Sequence, residues 1–193
     1  MIKTREMDEL KRMWLILGFL HEARERLGIQ NHTHIQKLVY LLQEVKSVPL
    51  RYDFKMRYYG PYSEGLWGTL CVMKDLGLIH IHLFGYGYII SDSKDAGLEK
   101  FLKVSSMSGL DESVIEYQES CRDLLQLINQ HQQGGIWYLE LLGMTHFIRK
   151  MLALYKHSPP DEEVISAVKG LKYHLNDKDI KQVLAIFREN YPG

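Results

Sequence analysis

The stretch that decides the fold reads RYDFKMRYYGPYSE over residues 51–64, GLWGTLCVMKDL over 65–76 and GLIHIHLFGYGYII over 77–90. In its first part apolar and polar side chains alternate, with Tyr52, Phe54, Met56 and Tyr58 on one side and Arg51, Asp53, Lys55 and Arg57 on the other. Successive side chains of an extended chain point to opposite faces, so the pattern predicts a half-buried strand or extended segment. Gly60 and Pro61 punctuate it. From about Tyr62 to Leu76 the period becomes helical, with Leu66, Trp67, Leu70, Cys71 and Met73 available to a buried side. Gly77 falls where a left-handed residue stops a helix. Beyond it, Ile79, Ile81 and Leu83 share one face, Gly85, Tyr86 and Gly87 supply a turn, and Tyr88, Ile89 and Ile90 return, which predicts a β-hairpin.

Upstream, Leu10, Met13, Trp14, Leu17, Leu20 and Leu27 recur at helical spacing and predict an amphipathic helix ending near Gly28. A second helix is expected after Thr33 as N-cap, with Ile35, Leu38, Val39, Leu42 and Val45 on one stripe, ending at Ser47, Val48 and Pro49. Two helices, an extended piece, a third helix and a hairpin follow the element order of a winged helix-turn-helix. Downstream the pattern is helical throughout. A short helix is expected near Lys94 to Val104. A long one carries Leu110, Val114, Tyr117, Cys121, Leu124, Leu125 and Ile128, capped by Gly134 and Gly135, and another carries Ile136, Leu139, Leu142, Phe147, Met151 and Leu154. Ser158 as N-cap with Pro159 at the first helical position announces the next, with Val164, Ile165, Val168 and Leu171 inward, and Asp177 caps the last. The expected fold is α+β, mostly α: a winged helix-turn-helix-like domain over residues 1–108 and a helical bundle extension over 109–193.

Composition narrows the function classes. The 193 residues are 46% hydrophobic and hold 24 basic and 24 acidic side chains, so no net charge draws the chain to a polyanion. Cys71 and Cys121 are too few for a disulfide framework or a four-thiol zinc site. The longest apolar run, Met13 to Leu20, is eight residues, against about 20 for a bilayer span. No secretory signal stands out, and the expectation is a cytoplasmic protein without a membrane partner.

A groove-reading helix should present Arg, Lys, Asn or Gln to bases. Between Tyr62 and Leu76 the single cation Lys74 faces Glu64 and Asp75, a poor set for that task. Arg51, Lys55 and Arg57 on the 51–57 segment form the better basic face, either as phosphate contacts or as an electrostatic rim, or else as a solvated strand edge. The aromatic run Tyr58, Tyr59, Gly60, Pro61, Tyr62 and Ser63, with Trp67 one turn on, carries the residue types that dominate protein interfaces. The candidate partner-binding set is therefore Tyr59, Gly60, Pro61, Tyr62, Ser63 and Trp67, with packing of these rings between helix and hairpin as the other reading. The pairs His32/His34 and His80/His82 lack a third ligand at convincing spacing, so no metal, cofactor or catalytic residue is assigned. No nucleophile elbow, phosphate loop or metalloprotease motif occurs.

With these residues laid out, His34-Ile-Gln-Lys-Leu-Val-Tyr-Leu-Leu42, Tyr58-Tyr-Gly-Pro-Tyr-Ser-Glu64 and Leu76-Gly-Leu78 resemble the YwgA-type family of small bacterial and archaeal proteins. That family is similar in turn to the Panacea (SocA-like) antitoxin domain, whose pattern pairs a Lys-Leu-x-Tyr-Leu helix with a Tyr-Gly-Pro turn. Trp137 to Leu142, Thr145 to Ile148, Glu163 to Ile165 and Leu171-Lys172 look like the tail of the YwgA-type proteins. Tyr62-Ser63-Glu64 after the turn and the long helical tail depart from the Panacea pattern. The resemblance implies an antitoxin that neutralises a toxin by direct contact, or an adaptor for a protease. The expected function is a non-catalytic protein-interaction module, antitoxin-like, with a protein partner and room for a homodimer. The alternatives are a DNA-binding winged-helix transcriptional regulator and an enzyme of unrecognised type.

Overall fold

Asp8 opens the first helix, α1 (Glu9–Leu27), by accepting the Lys11 amide on its side chain, and Gly28 closes it at φ 66°. The computed structural model describes residues 7–93, 96–107, 110–131, 136–156 and 158–190. Helix α2 (His32–Glu44) starts before the expected Thr33 cap. Asn31, in extended conformation, reaches the Thr33 amide with its side chain at 2.8 Å, so Thr33 lies inside the first turn. Every residue from Ile35 to Leu42 is buried, Gln36 and Lys37 included, so α2 is a central helix rather than a one-sided one.

The strand expected over the 51–58 alternation shortens to β1 (Lys55–Arg57). Tyr52 is buried as the pattern requires, but Tyr58 leaves the alternation at the turn and is 74% exposed. The Gly60-Pro61 break is itself a strand, β2 (Gly60–Tyr62), antiparallel to β1 with Pro61 opposite Met56. A two-stranded ribbon tolerates a proline because the missing N–H can lie on an edge. Gly60 at φ 98° occupies a conformation that L side chains rarely adopt.

Helix α3 (Glu64–Asp75) begins two residues later than the periodicity suggests, because Ser63 is its N-cap and accepts the Leu66 amide. Cys71 is half-buried rather than in the core. The helix ends as expected: the Gly77 amide reaches Lys74 O and the Leu78 amide reaches Met73 O, both at 2.9 Å, with Gly77 at φ 70°. The hairpin β3 (Ile79–Phe84) and β4 (Gly87–Asp92) pairs Ile79 with Asp92 through Phe84 with Gly87. Its tip projects from the body, which leaves Leu83 73% exposed instead of sharing the buried face of Ile79. Asn31 bridges to Ile89, and Gln30 O accepts the Ile90 amide at 2.8 Å, joining the α1–α2 connection to this ribbon.

Five helices follow: α4 (Ala96–Met107), α5 (Leu110–His131), α6 (Ile136–Ala153), α7 (Asp161–Leu171) and α8 (Asp177–Asn190). Lys94 and the Gly134/Gly135 cap lie outside the described residues. Ser158 does not cap α7: the helix starts at Asp161 behind an extended Pro160, because a residue that precedes proline is pushed out of the helical region. Asp161, Glu162 and Glu163 occupy its first turn. Asn176, one residue before the expected Asp177, caps α8 by accepting the Asp179 amide at 2.8 Å. Leu171 is exposed at the end of α7 rather than inward.

The fold is α+β and mostly α. Helix α1 packs on α5, α2 packs on α6, and α6 also carries α7 and α8. Buried side chains from Met7 to Phe187 form one hydrophobic cluster. The boundary drawn between residues 108 and 109 falls outside the described residues. Among the described residues no helix is long and apolar enough to cross a membrane.

Candidate functional site

Lys37 sits in the middle of α2, 1% exposed, in a helix whose apolar residues run all round it. Its stem is held by glycines from two other elements. A Cβ on Gly60 of β2 would lie 3.2 Å from Lys37 Cε, and one on Gly143 of α6 would lie 3.0 Å from Lys37 Cγ and 3.5 Å from Pro61 Cδ. A side chain at either position would press on the lysine stem, so the two glycines ease the close approach of the hairpin, the lysine and α6. Lys37 Nζ makes no hydrogen bond or ion pair with a described residue. Burial pulls its pKa down to about 8, Lys172 adds to the fall, and Glu140 opposes it.

The lysine lines a cleft of about 440 Å³ between the start of α2 and the β1–β2 hairpin, together with His32, Thr33, Arg57, Tyr58, Tyr59, Gly60, Tyr62 and Glu64. Arg57 reaches Glu64 at 2.9 Å and lies 6.0 Å from the Tyr62 ring centroid. His32 Nδ1 is buried without a hydrogen-bond partner. Burial, and then the Lys37 charge, lower the pKa of both His32 and His34, the latter to about 4, so both rings are neutral at pH 7.

Beside the cleft, Tyr58 and Tyr59 form the turn, their rings 4.9 Å apart and nearly perpendicular. Lys172, just past α7, places its ammonium 4.1 Å from the Tyr58 ring centroid and 5.1 Å from that of Tyr59, and pairs with Glu140 of α6 at 3.1 Å. The two exposed rings are thereby fixed from behind by a cation that is itself buried and paired.

Gln36, next to Lys37, positions the hairpin. Its side-chain oxygen accepts the Ser63 amide at 2.8 Å, and its side-chain nitrogen donates to Ser63 O at 3.1 Å. The next ring cluster ties α2, the hairpin, α3 and β4 together: His32 lies 6.0 Å from Tyr62, 5.1 Å from Trp67 and 5.7 Å from Tyr88, and Trp67 lies 5.0 Å from Tyr88.

The residues singled out in the sequence divide into three groups. Arg57, Tyr59, Gly60 and Tyr62 come together at the cleft. Pro61 and Ser63 are buried, Pro61 against α6 and Ser63 as the α3 cap, and Trp67 is half-buried between His32 and Tyr88. Arg51 and Lys55 stay on the exposed side, where Lys55 faces Asp53 at 3.4 Å. His80 and His82 lie 5.8 Å apart on the second ribbon, and no group of three metal-ligating side chains occurs among the described residues.

Lys37, Gly143, Glu140 and Lys172 were not among the candidates, and His32 was weighed only as half of a metal-ligating pair with His34. One sequence signal pointed to Lys37: apolar residues at 35, 38, 39, 40, 41 and 42 cover too much of the helix to leave Gln36 and Lys37 a solvent face. Glu140, Gly143 and Lys172 reach the site only through tertiary packing. Compared with known proteins, the chain matches no family model and no curated sequence.

Proposed function

We propose that this chain is a non-catalytic protein-interaction module of the antitoxin type. In this reading a winged-helix-like half, backed by a helical bundle, grips and neutralises a protein partner in the cytoplasm. The observation that carries it is the Tyr58–Tyr59 turn, exposed at 74% and 56% yet held under Lys172. Rigid, solvent-facing aromatics lose little conformational freedom on binding, so they supply anchor energy at low cost in entropy. The order α1, α2, α3, β3, β4 and the bridge from Asn31 to Ile89 support the winged-helix part of the reading.

The electrostatics favour a polypeptide over DNA. The outward face of α3 offers Glu64, Val72, Lys74 and Asp75, one cation against two carboxylates where a groove reader needs several cations. Lys55 and Arg57 already face Asp53 and Glu64.

The test is co-expression with each neighbouring gene whose product is toxic. The parent chain is expected to restore growth, and the double variant Tyr58→Ser/Tyr59→Ser is expected to lose rescue while keeping its unfolding midpoint. Harmless neighbours throughout, or rescue unchanged in the variant, would overturn the reading. Steep, salt-sensitive binding of labelled duplex at low ionic strength would favour a DNA-binding regulator instead.

A further inference from the structure

Two residues that line the α2–hairpin cleft carry a nitrogen with no hydrogen-bond partner among the described residues: Lys37 Nζ, at the end of a stem clamped by Gly60 and Gly143, and the buried Nδ1 of His32. Charge is close to balanced around them. Arg57 is set against Glu64 and, just outside, Lys172 against Glu140, which leaves Lys37 as the charged side chain of the cleft lining without an ion pair to a described residue. A buried charge without a partner is costly to the fold, and a ligand with one negative charge would relieve that cost. A monoanion neutralises the cleft, whereas a phosphate dianion would leave it negative. Tyr59 and Tyr62 line the same walls and offer ring surface to a carbon skeleton.

We infer that the cleft between α2 and the β1–β2 hairpin is a binding site for a carboxylate, with the Lys37 ammonium as its ion-pair partner and the Tyr59 and Tyr62 rings flanking the group that bears it. This goes beyond the antitoxin reading and does not require it. The carboxylate comes from one of two sources, a small free carboxylic acid or the C-terminus of a polypeptide.

The experiment uses the full chain labelled with 13C at the lysine ε-carbons, where titration near 8 sets the Lys37 signal apart from those of exposed lysines. The probes are sodium benzoate, an eight-residue peptide with a free C-terminal carboxylate, the same peptide as its C-terminal amide, and inorganic phosphate. The expected result is a saturable shift of the Lys37 signal, with Lys55 unmoved, on addition of benzoate or of the free-acid peptide but not of the amide. Saturation by benzoate assigns the site to small acids, and saturation by the free-acid peptide alone assigns it to a chain terminus. Lys37→Met is expected to weaken binding at least tenfold. Because the readout is the parent chain's own signal, the test survives a variant that does not fold. No saturable shift with either carboxylate, equal shifts from acid and amide peptides, or tighter binding of phosphate than of any carboxylate would overturn the assignment. Failure of toxin rescue with carboxylate binding intact would refute the antitoxin reading and leave this one standing.

Discussion

Lys37 titrates near 8 in the folded chain against an ordinary 10.5. Between those values the unfolded chain holds more protons than the folded one, so stability rises with pH across that window. Below about pH 8 the full penalty of keeping the ammonium charged is present, on the order of 3 kcal/mol. Methionine retains a flexible unbranched stem that fits between Gly60 and Gly143 and removes the charge. Lys37→Met is therefore expected to be more stable than the parent at pH 7 by about 1–3 kcal/mol, with the difference shrinking toward pH 10. Urea midpoints of both chains at the two pH values measure this. A variant less stable at pH 7 would mean that the ammonium has a stabilising partner in the folded chain. A residue kept at such expense to stability is the kind found at sites that bind.

Hairpin β1–β2 and helix α3 depend on one side chain of α2. Gln36 satisfies both backbone groups of the buried Ser63, so Gln36→Leu strands a buried N–H and a buried C=O. That is expected to cost about 2–4 kcal/mol. Ser63→Ala removes the α3 cap alone and is expected to cost about 1 kcal/mol. Equal losses in the two variants, read as shifts in urea midpoint at unchanged slope, would show that the hairpin does not hang on Gln36. The contrast also explains what the sequence discloses. Gly28 and Gly77 were legible as helix ends because capping is local, whereas the start of α3, expected near Tyr62, falls two residues later behind the Ser63 cap. Strand β2 was not legible: a Gly-Pro pair reads as a break until a partner strand turns up across a two-residue turn. Ser158 and Pro159 misled because the second proline, Pro160, excludes its predecessor from the helix. The cleft was half legible. Its aromatic wall is contiguous in sequence and Lys37 is marked by the apolar positions around it on α2, while Glu140, Gly143 and Lys172 arrive from the far half of the chain.

At the scale of the whole molecule, the two halves bury each other's apolar faces. Helix α1 packs on α5, and α2 packs against β2, β4 and α6, with β2 also resting on α6. The contact is polar as well as apolar: Tyr40 of α2 and His146 Nδ1 of α6 lie 2.8 Å apart, Glu44 pairs with Lys150, and Lys46 reaches Asp123 of α5 at 3.4 Å. Burial pulls the His146 pKa down to about 4, so that ring stays neutral beside Tyr40 at pH 7. Division at residue 108 would uncover the α1 and α2 surfaces together. Phe19, Tyr40 and Leu41 each lie at 2% exposure or less in the intact chain, and water would reach the faces that α5 and α6 now cover. A fragment of residues 1–108 is therefore expected to lack a cooperative unfolding transition and to bind a hydrophobic dye, whereas the full chain unfolds in one step seen alike by tryptophan fluorescence and far-ultraviolet circular dichroism. A fragment that unfolds sharply, with a denaturant slope appropriate to about 100 residues, would instead establish the first half as a domain that merely carries its helical extension.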